Sequence, residues 1–223
     1  MAAKKKREPD KKRILVVDDH PMMRQGLAQL INNEADLAVC WEADSAGQAL
    51  EMASAHKPDL LLADISLPGK NGLELIKDIR ALNPGALILV VSMHDETLYA
   101  ERALRAGARG YIMKQEGGKK LMAAIRQVLS GQIYVSEKMS ARILELFSGR
   151  RAESASSMEK LSDREFEVFQ LIGQGKGTRD IADQLHLSVK TVEVHRANIK
   201  EKLKLKSATD LVRAAVRWAE AQG

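Results

Sequence analysis

Polar and charged residues stand directly after several short apolar stretches of the sequence. Asp18 and Asp19 follow ILVV, and Asp64 follows LLLA. Ser92 and Lys114 come directly after two further apolar stretches, LILVV and GYIM. Adjacent carboxylates repel each other, and partial burial strengthens that repulsion. A positive charge is therefore expected beside Asp18 and Asp19.

These residue types suit phosphoryl transfer. Carboxylate oxygens are ligands that Mg²⁺ prefers, and bound Mg²⁺ retains waters and recruits a phosphate oxygen. A carboxylate beside the metal can act as a nucleophile and form an aspartyl phosphate. Ser92 and Lys114 would offer a hydrogen-bond donor and a positive charge to the equatorial phosphoryl oxygens. A single polar residue at a strand end is usually solvated or caps the next helix, so the interpretation depends on the whole set.

The apolar stretches alternate with amphipathic ones, which predicts a doubly wound α/β domain with a flavodoxin-like, five-stranded parallel sheet. In such a sheet, ligands gather outside the carboxyl ends of the strands, so these polar residues should meet at one edge. The predicted strands are Ile14–Val17, Leu37–Trp41, Leu60–Ala63, Leu87–Val91 and Gly110–Met113. The predicted helices are Met22–Asn32, Gly47–Ala55, Leu73–Leu82, Leu98–Ala106 and Lys119–Ser130.

A change in composition divides the chain. The α/β domain is predicted over residues 12–132, a helical connector and linker over 133–157, and a small all-α domain over 158–223. The linker is predicted from SGRRAESASS, which has small and charged residues without a period. The connector helix is predicted over Ser136–Phe147.

Composition predicts a soluble, cytoplasmic protein with no membrane partner. The chain of 223 residues is 45% hydrophobic and 29% charged, and its apolar stretches are far shorter than the ~18 residues of a membrane span. The single Cys40 excludes an intramolecular disulfide.

The net charge of +5 does not by itself indicate nucleic-acid binding, because residues 1–13 alone carry seven basic and two acidic residues. That basic leader is interpreted as a solvated segment, with a weak nucleic-acid contact as the alternative.

The C-terminal region contains residues that are typical of helix N-termini. Ser162 with Glu165, and Ser207 with Asp210, have the spacing of a capping box. Thr178 and Ser188 are candidate N-caps. Two short helices joined by a turn at HLS indicate a helix-turn-helix.

The helix predicted from Ser188 to Leu205 combines an apolar face with a basic surface. A helical projection places Val189, Val192, Ile199 and Leu203 on the apolar face. Residues 188–206 contain six basic and two acidic side chains. Charge alone leaves two readings open, a solvated basic helix and a DNA-binding helix.

Several motifs resemble the receiver domain of two-component response regulators, in the subgroup with a LuxR-type (NarL/FixJ) DNA-binding domain. The motifs are VVDDHPMMRQGL, PDLLLADISLPGKNGLELIKDIR, ILVVSMHD, ALRAGARGYIMK and TVEVH…I…KL…KS. The resemblance implies that Asp64 accepts a phosphoryl group from a histidine kinase, with Ser92 and Tyr111 as switch residues and Lys114 holding a phosphoryl oxygen. It implies that Mg²⁺ is bound by Asp18, Asp19, Asp64 and the backbone carbonyl of Ser66. Two positions depart from the family pattern: Gln115 stands where many receivers have Pro, and Ala63 where a bulkier residue or Asp is frequent.

The resemblance also implies a phosphorylation-activated regulator that binds promoter DNA as a homodimer. Three residues would face bases in the major groove: Glu193, Val194 and Ala197. Others would contact phosphates or position the helix: Lys190, Thr191, His195 and Lys200. The last helix is the candidate dimer surface, through Leu211, Val212, Ala215 and Trp218. The family often has a basic residue where Glu193 stands, and Glu193 either reads a base or pairs with Lys190 or Arg196.

The sequence favours this function over the alternatives. The protein is expected not to be an enzyme. A hydrolase of the haloacid-dehalogenase type needs a second Asp two residues after the nucleophile, and Ser66 stands there instead. Phosphate-binding loops of the GxxxxGK[ST] kind are absent from the sequence, which disfavours an NTPase. The remaining alternative is a DNA-binding regulator whose α/β domain only dimerises and is never phosphorylated.

Overall fold

In the computed structural model, residues 11–147, 158 and 160–221 are described. Residues 1–10 of the predicted leader and the predicted linker 148–157 fall outside these residues. The described chain divides into two compact units, the first ending at Ser136 and the second beginning at Glu137. In this part of the chain, no helix is both long and apolar enough to cross a membrane.

The first unit is built on a five-stranded sheet in which every neighbouring pair is parallel, with the order β2-β1-β3-β4-β5. This order confirms the predicted doubly wound fold. β2 runs two residues further than predicted, and β4 includes Ser92. The strands are β1 Lys12–Val17, β2 Leu37–Ala43, β3 Leu60–Ala63, β4 Ile88–Ser92 and β5 Gly110–Met113.

Helices cover both faces of the sheet, because the strands are apolar on both sides. The residues at alternate strand positions, such as Ile14 and Val16, form one core with α1 and α5. The helices α2, α3 and α4 contact one another in sequence, and α2 and α4 also contact strands. The helices are α1 Pro21–Asn32, α2 Ala46–His56, α3 Gly72–Leu82, α4 Glu96–Ala106 and α5 Gly118–Leu129.

Strand register brings the predicted acidic residues together. Val17 pairs with Ala63 at the ends of the adjacent strands β1 and β3, so the next residues, Asp18 and Asp64, are neighbours. The Asp64 N–H extends this pairing by donating to the Val17 carbonyl at 2.9 Å. Lys114 begins a short 3₁₀ turn, Lys114–Glu116, directly after β5. The same edge therefore carries all the predicted polar groups.

The second unit is helical. Its elements are α6 Glu137–Phe147, α7 Asp163–Gly173, α8 Thr178–Gln184, α9 Val189–Lys202 and α10 Ala208–Glu220. The capping box of Ser162 is confirmed, and Ser188 and Ser207 cap α9 and α10. The prediction for Thr178 is wrong, because Gly177 is the N-cap of α8. Glycine has no side chain that could cap the helix. Instead, the Asp180 carboxylate accepts a hydrogen bond from the Gly177 N–H at 3.1 Å.

The predicted dimer surface on the last helix is wrong for two of its four residues. Leu211 and Ala215 are fully buried, and α10 packs closely on α7, since a Cβ at Gly173 would lie 2.6 Å from the Ala215 carbonyl oxygen. The Trp218 ring meets two aromatic rings of α7 edge-on, those of Phe166 and Phe169. Leu211 and Ala215 therefore belong to the core of the helical unit, whereas Trp218 packs against that core and stays partly exposed. Val212 alone among the four predicted residues is exposed, at 40%.

Candidate functional site: an acidic pocket and an exposed basic helix

A buried ion-pair cluster lies at the carboxyl edge of the sheet. The side chains of Asp18 and Asp64 are only 1% and 3% exposed. The Lys114 ammonium lies 2.6 Å from Asp18 Oδ2 and 2.7 Å from Asp64 Oδ2. Lys114 therefore provides a positive charge beside the neighbouring carboxylates. The ends of β1, β3 and β5 converge at one edge of the sheet, as predicted.

Backbone groups hold the two buried carboxylates in place. The His20 N–H donates to Asp18 Oδ1 at 2.9 Å, and the Ile65 N–H donates to Asp64 Oδ1 at 2.6 Å. The loop after β3 folds tightly against α3, because a Cβ at Gly72 would lie 2.0 Å from the Asp64 carbonyl oxygen. Only glycine fits there without moving the backbone of Asp64.

Burial and pairing shift the pKa values in the cluster. Burial raises the pKa of the Asp64 carboxyl, although the nearby Lys114 opposes that shift. Burial by itself would lower the pKa of the Lys114 ammonium, but the carboxylates of Asp64 and Asp18 outweigh it and raise that pKa. Lys114 therefore stays charged at neutral pH, and its charge stabilises the carboxylate form of Asp64.

The same edge could hold a divalent cation. Asp18, Asp19, His20 and Asp64 each offer a ligand atom, and these atoms all lie within 4.8 Å of one another. Asp19 Oδ1 is buried and lies 2.7 Å from His20 Nδ1, and no hydrogen bond of good geometry reaches this oxygen from the described residues. A cluster of hard carboxylate oxygens fits Mg²⁺. His20 was not predicted as part of this cluster, although its place directly after the two aspartates could have indicated it.

The two predicted switch residues are joined through a third residue. Ser92 and Tyr111 are fully buried. The Ser92 hydroxyl accepts the His94 N–H at 3.3 Å, and the Tyr111 hydroxyl donates to the His94 carbonyl at 2.8 Å. Burial raises the pKa of Tyr111, so its phenol is protonated and can donate.

His94 also reaches the loop that follows the acceptor strand. Its Nε2 lies 2.9 Å from the Ser66 hydroxyl, and its ring packs at a tilt on Tyr99 with centroids 4.6 Å apart. Burial and the Lys114 charge lower the pKa of the His94 imidazole. Sequence reasoning missed His94, and its only signal was an imidazole two residues after Ser92. The Ser66 carbonyl remains a prediction as a metal ligand.

The helix α9 shows a buried side and an exposed side. Val192 and Ile199 are fully buried, as the helical projection predicts. Val189 differs from that prediction: it is 41% exposed, because it is the first residue of α9 and lies at the end of the packed face. Four of the predicted DNA-contacting residues are exposed and three are partly buried. The exposed ones are Lys190, Glu193, Val194 and Ala197; the others are Thr191, His195 and Lys200.

An ion pair attaches the exposed helix α9 to the rest of its domain. The Lys202 ammonium lies 2.6 Å from Glu165 Oε2, which joins the end of α9 to the start of α7. Burial opposes the charge of Glu165, but Lys202 and the Ser162 backbone lower its pKa overall. Arg164 pairs with Glu167 at 2.7 Å and donates to the Leu185 carbonyl after α8. The three helices of the helix-turn-helix region are therefore held together by charge as well as by apolar packing.

Comparisons with known proteins agree with this architecture. A family model described as response regulator receiver domain matches residues 14–126, and one described as bacterial regulatory proteins, luxR family, matches residues 159–215. The oxygen regulatory protein NreC of Staphylococcus haemolyticus is 37% identical over 210 residues, which cover 92% of this chain and 97% of that protein.

Solved structures show the same likeness. A two-component response regulator of the LuxR family from Aurantimonas sp. SI85-9A1 is 35% identical with a TM-score of 0.58, over 62% of this chain and 99% of that chain. A structure of two RcsB dimers bound to two parallel DNAs is 25% identical with a TM-score of 0.57, over 92% of this chain and 97% of that chain. The chain therefore belongs to the two-component response regulators with a LuxR-type DNA-binding domain, and it is a phosphorylation-dependent transcriptional regulator that binds DNA.

Proposed function

We propose that Asp64 is the phosphoryl acceptor of this regulator. The observation that carries the proposal is the buried Asp64 carboxylate, which lies 2.7 Å from the Lys114 ammonium and beside Asp18. In the reaction, an Asp64 oxygen bonds to phosphorus while the phosphorus–nitrogen bond of the kinase phosphohistidine breaks. The released imidazole takes up a proton. Lys114 would then neutralise part of the new phosphoryl charge.

Mg²⁺ is the proposed cofactor. Asp18, Asp19, Asp64 and the backbone carbonyl of Ser66 would hold it. When bound, Mg²⁺ supplies charge neutralisation between the carboxylates and the phosphoryl oxygens. The role of Asp18 and Asp19 is to hold this cation next to the Asp64 oxygen that attacks. Without a cation, their charges would repel the incoming phosphoryl group.

The proposed switch passes through Ser92 and Tyr111. A phosphoryl dianion on Asp64 attracts the Ser92 hydroxyl, which now accepts the His94 N–H. Moving Ser92 changes the peptide to which the Tyr111 hydroxyl donates, so the aromatic side chain follows. Because Tyr111 lies on β5 beside α4, this movement remodels the surface formed by α4, β5 and α5.

In the proposed output, α9 enters the major groove of promoter DNA as part of a homodimer. Glu193, Val194 and Ala197 would face bases. The surrounding side chains would contact phosphates or position the helix, namely Lys190, Thr191, His195 and Lys200. Twofold symmetry favours inverted half-sites about 10 bp apart. The cytoplasm is the proposed location of the protein, because promoter DNA and the phosphohistidine of a kinase would both be reached there.

Phosphorylation with a small phosphodonor tests the acceptor. Wild type is expected to be labelled in the presence of Mg²⁺, and Asp64→Asn is expected to lose the label while keeping its fold, as measured by intact-mass spectrometry and circular dichroism. Asp59→Asn is the matched control, because Asp59 lies before β3, at the opposite end of that strand, and pairs there with Lys12 and Arg13. Label retained by Asp64→Asn at the wild-type rate would contradict the proposal. An unlabelled wild type would favour a receiver domain that only dimerises.

A further inference from the structure

A carboxylate stands on the exposed side of α9, the helix proposed to enter the major groove. Glu193 is exposed, Val194 beside it is 51% exposed, and Ala197 is exposed one turn further on. DNA phosphates repel an anion at this place, so Glu193 weakens non-specific binding. A local ion pair or a hydrogen bond from a DNA base would offset that repulsion.

No ion-pair partner of Glu193 is found among the described residues. In the described part of the chain, neither Lys190 nor Arg196 lies within ion-pair distance of Glu193. Other glutamates of the same domain behave differently, because Glu165 pairs with Lys202 and Glu167 pairs with Arg164, at 2.6 and 2.7 Å. Glu193 therefore makes no ion pair that holds the described part of the helical domain together.

Hydrogen-bond chemistry decides which base a carboxylate can read. An ionised Glu only accepts hydrogen bonds. In the major groove, guanine presents two acceptors, which repel it, and adenine presents a donor next to an acceptor. Cytosine presents its N4 amine as a donor, and thymine presents a methyl group and an acceptor. Cytosine is thus the base that satisfies Glu193 best.

The neighbouring side chain suits the neighbouring base. Val194 has no polar atom, and its exposed apolar surface gains by covering the thymine methyl group. Ala197 is short, so it leaves room for Glu193 and Val194 to approach the base edges. The exposed part of α9 thus offers one acceptor and one apolar contact side by side.

We propose that Glu193 and Val194 specify two adjacent base pairs of each half-site. Glu193 accepts a hydrogen bond from the cytosine N4 amine, and Val194 packs on the methyl group of a thymine next to it. This inference rests on the proposed function, since it requires α9 to lie in the major groove. Replacing the C·G pair lowers wild-type affinity by about 5- to 150-fold, the range for one mismatched base pair in a specific site.

Selection from a random DNA pool tests the role of Glu193. The full chain is used after treatment with Mg²⁺ and a small phosphodonor. Glu193→Ala is expected to lose the cytosine preference at one half-site position while its total affinity stays level or rises. Glu193→Gln is expected to prefer adenine there, because an amide can donate to N7 and accept from N6. Glu201→Ala is the matched control, since it removes the same charge from an exposed position of the same helix and should leave the motif unchanged.

Replacing thymine by deoxyuridine tests Val194 separately. Deoxyuridine lacks the methyl group and keeps the base pair, so wild-type affinity for the selected site is expected to fall several-fold. Val194→Ala has less apolar surface to cover the methyl group, so its affinities for the two sites are expected to differ less than those of wild type. A motif that Glu193→Ala selects unchanged, or a Val194→Ala variant that distinguishes thymine from deoxyuridine as strongly as wild type does, overturns the inference and leaves the proposed function intact. A wild-type chain that selects no motif overturns both.

Discussion

The acidic pocket and the exposed side of α9 differ in whether their charged side chains pair with one another. In the pocket, Lys114 is buried between Asp18 and Asp64 and contacts both. On α9, Lys190 and Glu193 are exposed and make no ion pair within the described residues. The pocket balances part of its negative charge within the fold, whereas the exposed Lys190 of α9 is available to a polyanionic partner. Removing the lysine of the pocket should therefore lower the stability of the fold, whereas removing Lys190 should lower DNA affinity and leave the stability almost unchanged.

Removing the buried lysine should have the largest effect on stability. Lys114→Ala leaves two buried carboxylates without their cation, and breaking a buried pair in this way costs about 3–5 kcal/mol of unfolding free energy. Urea unfolding measures the loss. Added Mg²⁺ is expected to restore more stability to this variant than to wild type, because a divalent cation can compensate the same carboxylates.

Lys70→Ala is the control for that measurement. Lys70 pairs with Asp78 at the surface, and such pairs contribute only ~0–1 kcal/mol. If Lys114→Ala unfolded like Lys70→Ala, with no added response to Mg²⁺, the pocket would not depend on its internal cation. The contrast with α9 would then fail.

Gly72→Ala tests the geometry of the pocket without touching its charges. The new Cβ would lie 2.0 Å from the Asp64 carbonyl oxygen, so the acceptor loop must move. Overpacking of this kind costs about 1–3 kcal/mol, and phosphodonor labelling should slow because Asp64 is displaced. Gly47→Ala is the control, because nothing lies within 4 Å of its Cβ and alanine favours a helix by ~0.5–1 kcal/mol. Equal labelling rates in the two variants would show that the close approach does not position Asp64.

The pocket could be predicted from sequence for a simple reason. Parallel strands bring their carboxyl ends to one edge, so finding β1, β3 and β5 also placed Asp18, Asp64 and Lys114. The contacts of His94 could not be predicted, because they depend on the path of the loop after β4 and not on any period. The sequence pattern also could not distinguish a helix face that packs on its own domain from one that meets a second copy, and so Leu211 and Ala215 were misassigned.

Glu165 should make the stability of the helical domain depend on pH. Its folded pKa is lowered, so its contribution is fully present above the unfolded pKa of glutamate, ~4.3. That contribution is lost as pH falls through the lower, folded pKa. Glu165→Gln keeps the spacing of the capping box, since Gln also serves there, but it removes the charge that pairs with Lys202. The variant is expected to unfold with a weaker pH dependence between pH 5 and pH 3 (roughly the range where glutamate titrates).

Urea midpoints across that pH range measure the difference, with Glu220→Gln as an exposed control at the end of α10. Parallel pH curves for wild type and Glu165→Gln would show that the pair with Lys202 does not stabilise the charged form. The attachment of α9 would then depend on apolar packing alone.

The smallest effect on stability and the clearest contrast are expected for Lys190→Ala. Lys190 is exposed on α9 and has no ion pair among the described residues, so its loss should change the unfolding free energy by no more than about 0.5 kcal/mol. Removing Lys190 should nevertheless change the salt dependence of DNA binding measurably. A lysine that contacts a phosphate releases a counterion, so the slope of log affinity against log salt should fall by about 1 in the variant. That loss should be the same for selected and unrelated DNA, because phosphates carry no sequence information. A normal salt slope in Lys190→Ala would place this side chain away from the backbone, whereas lost stability would mean that α9 uses its charges as the pocket does.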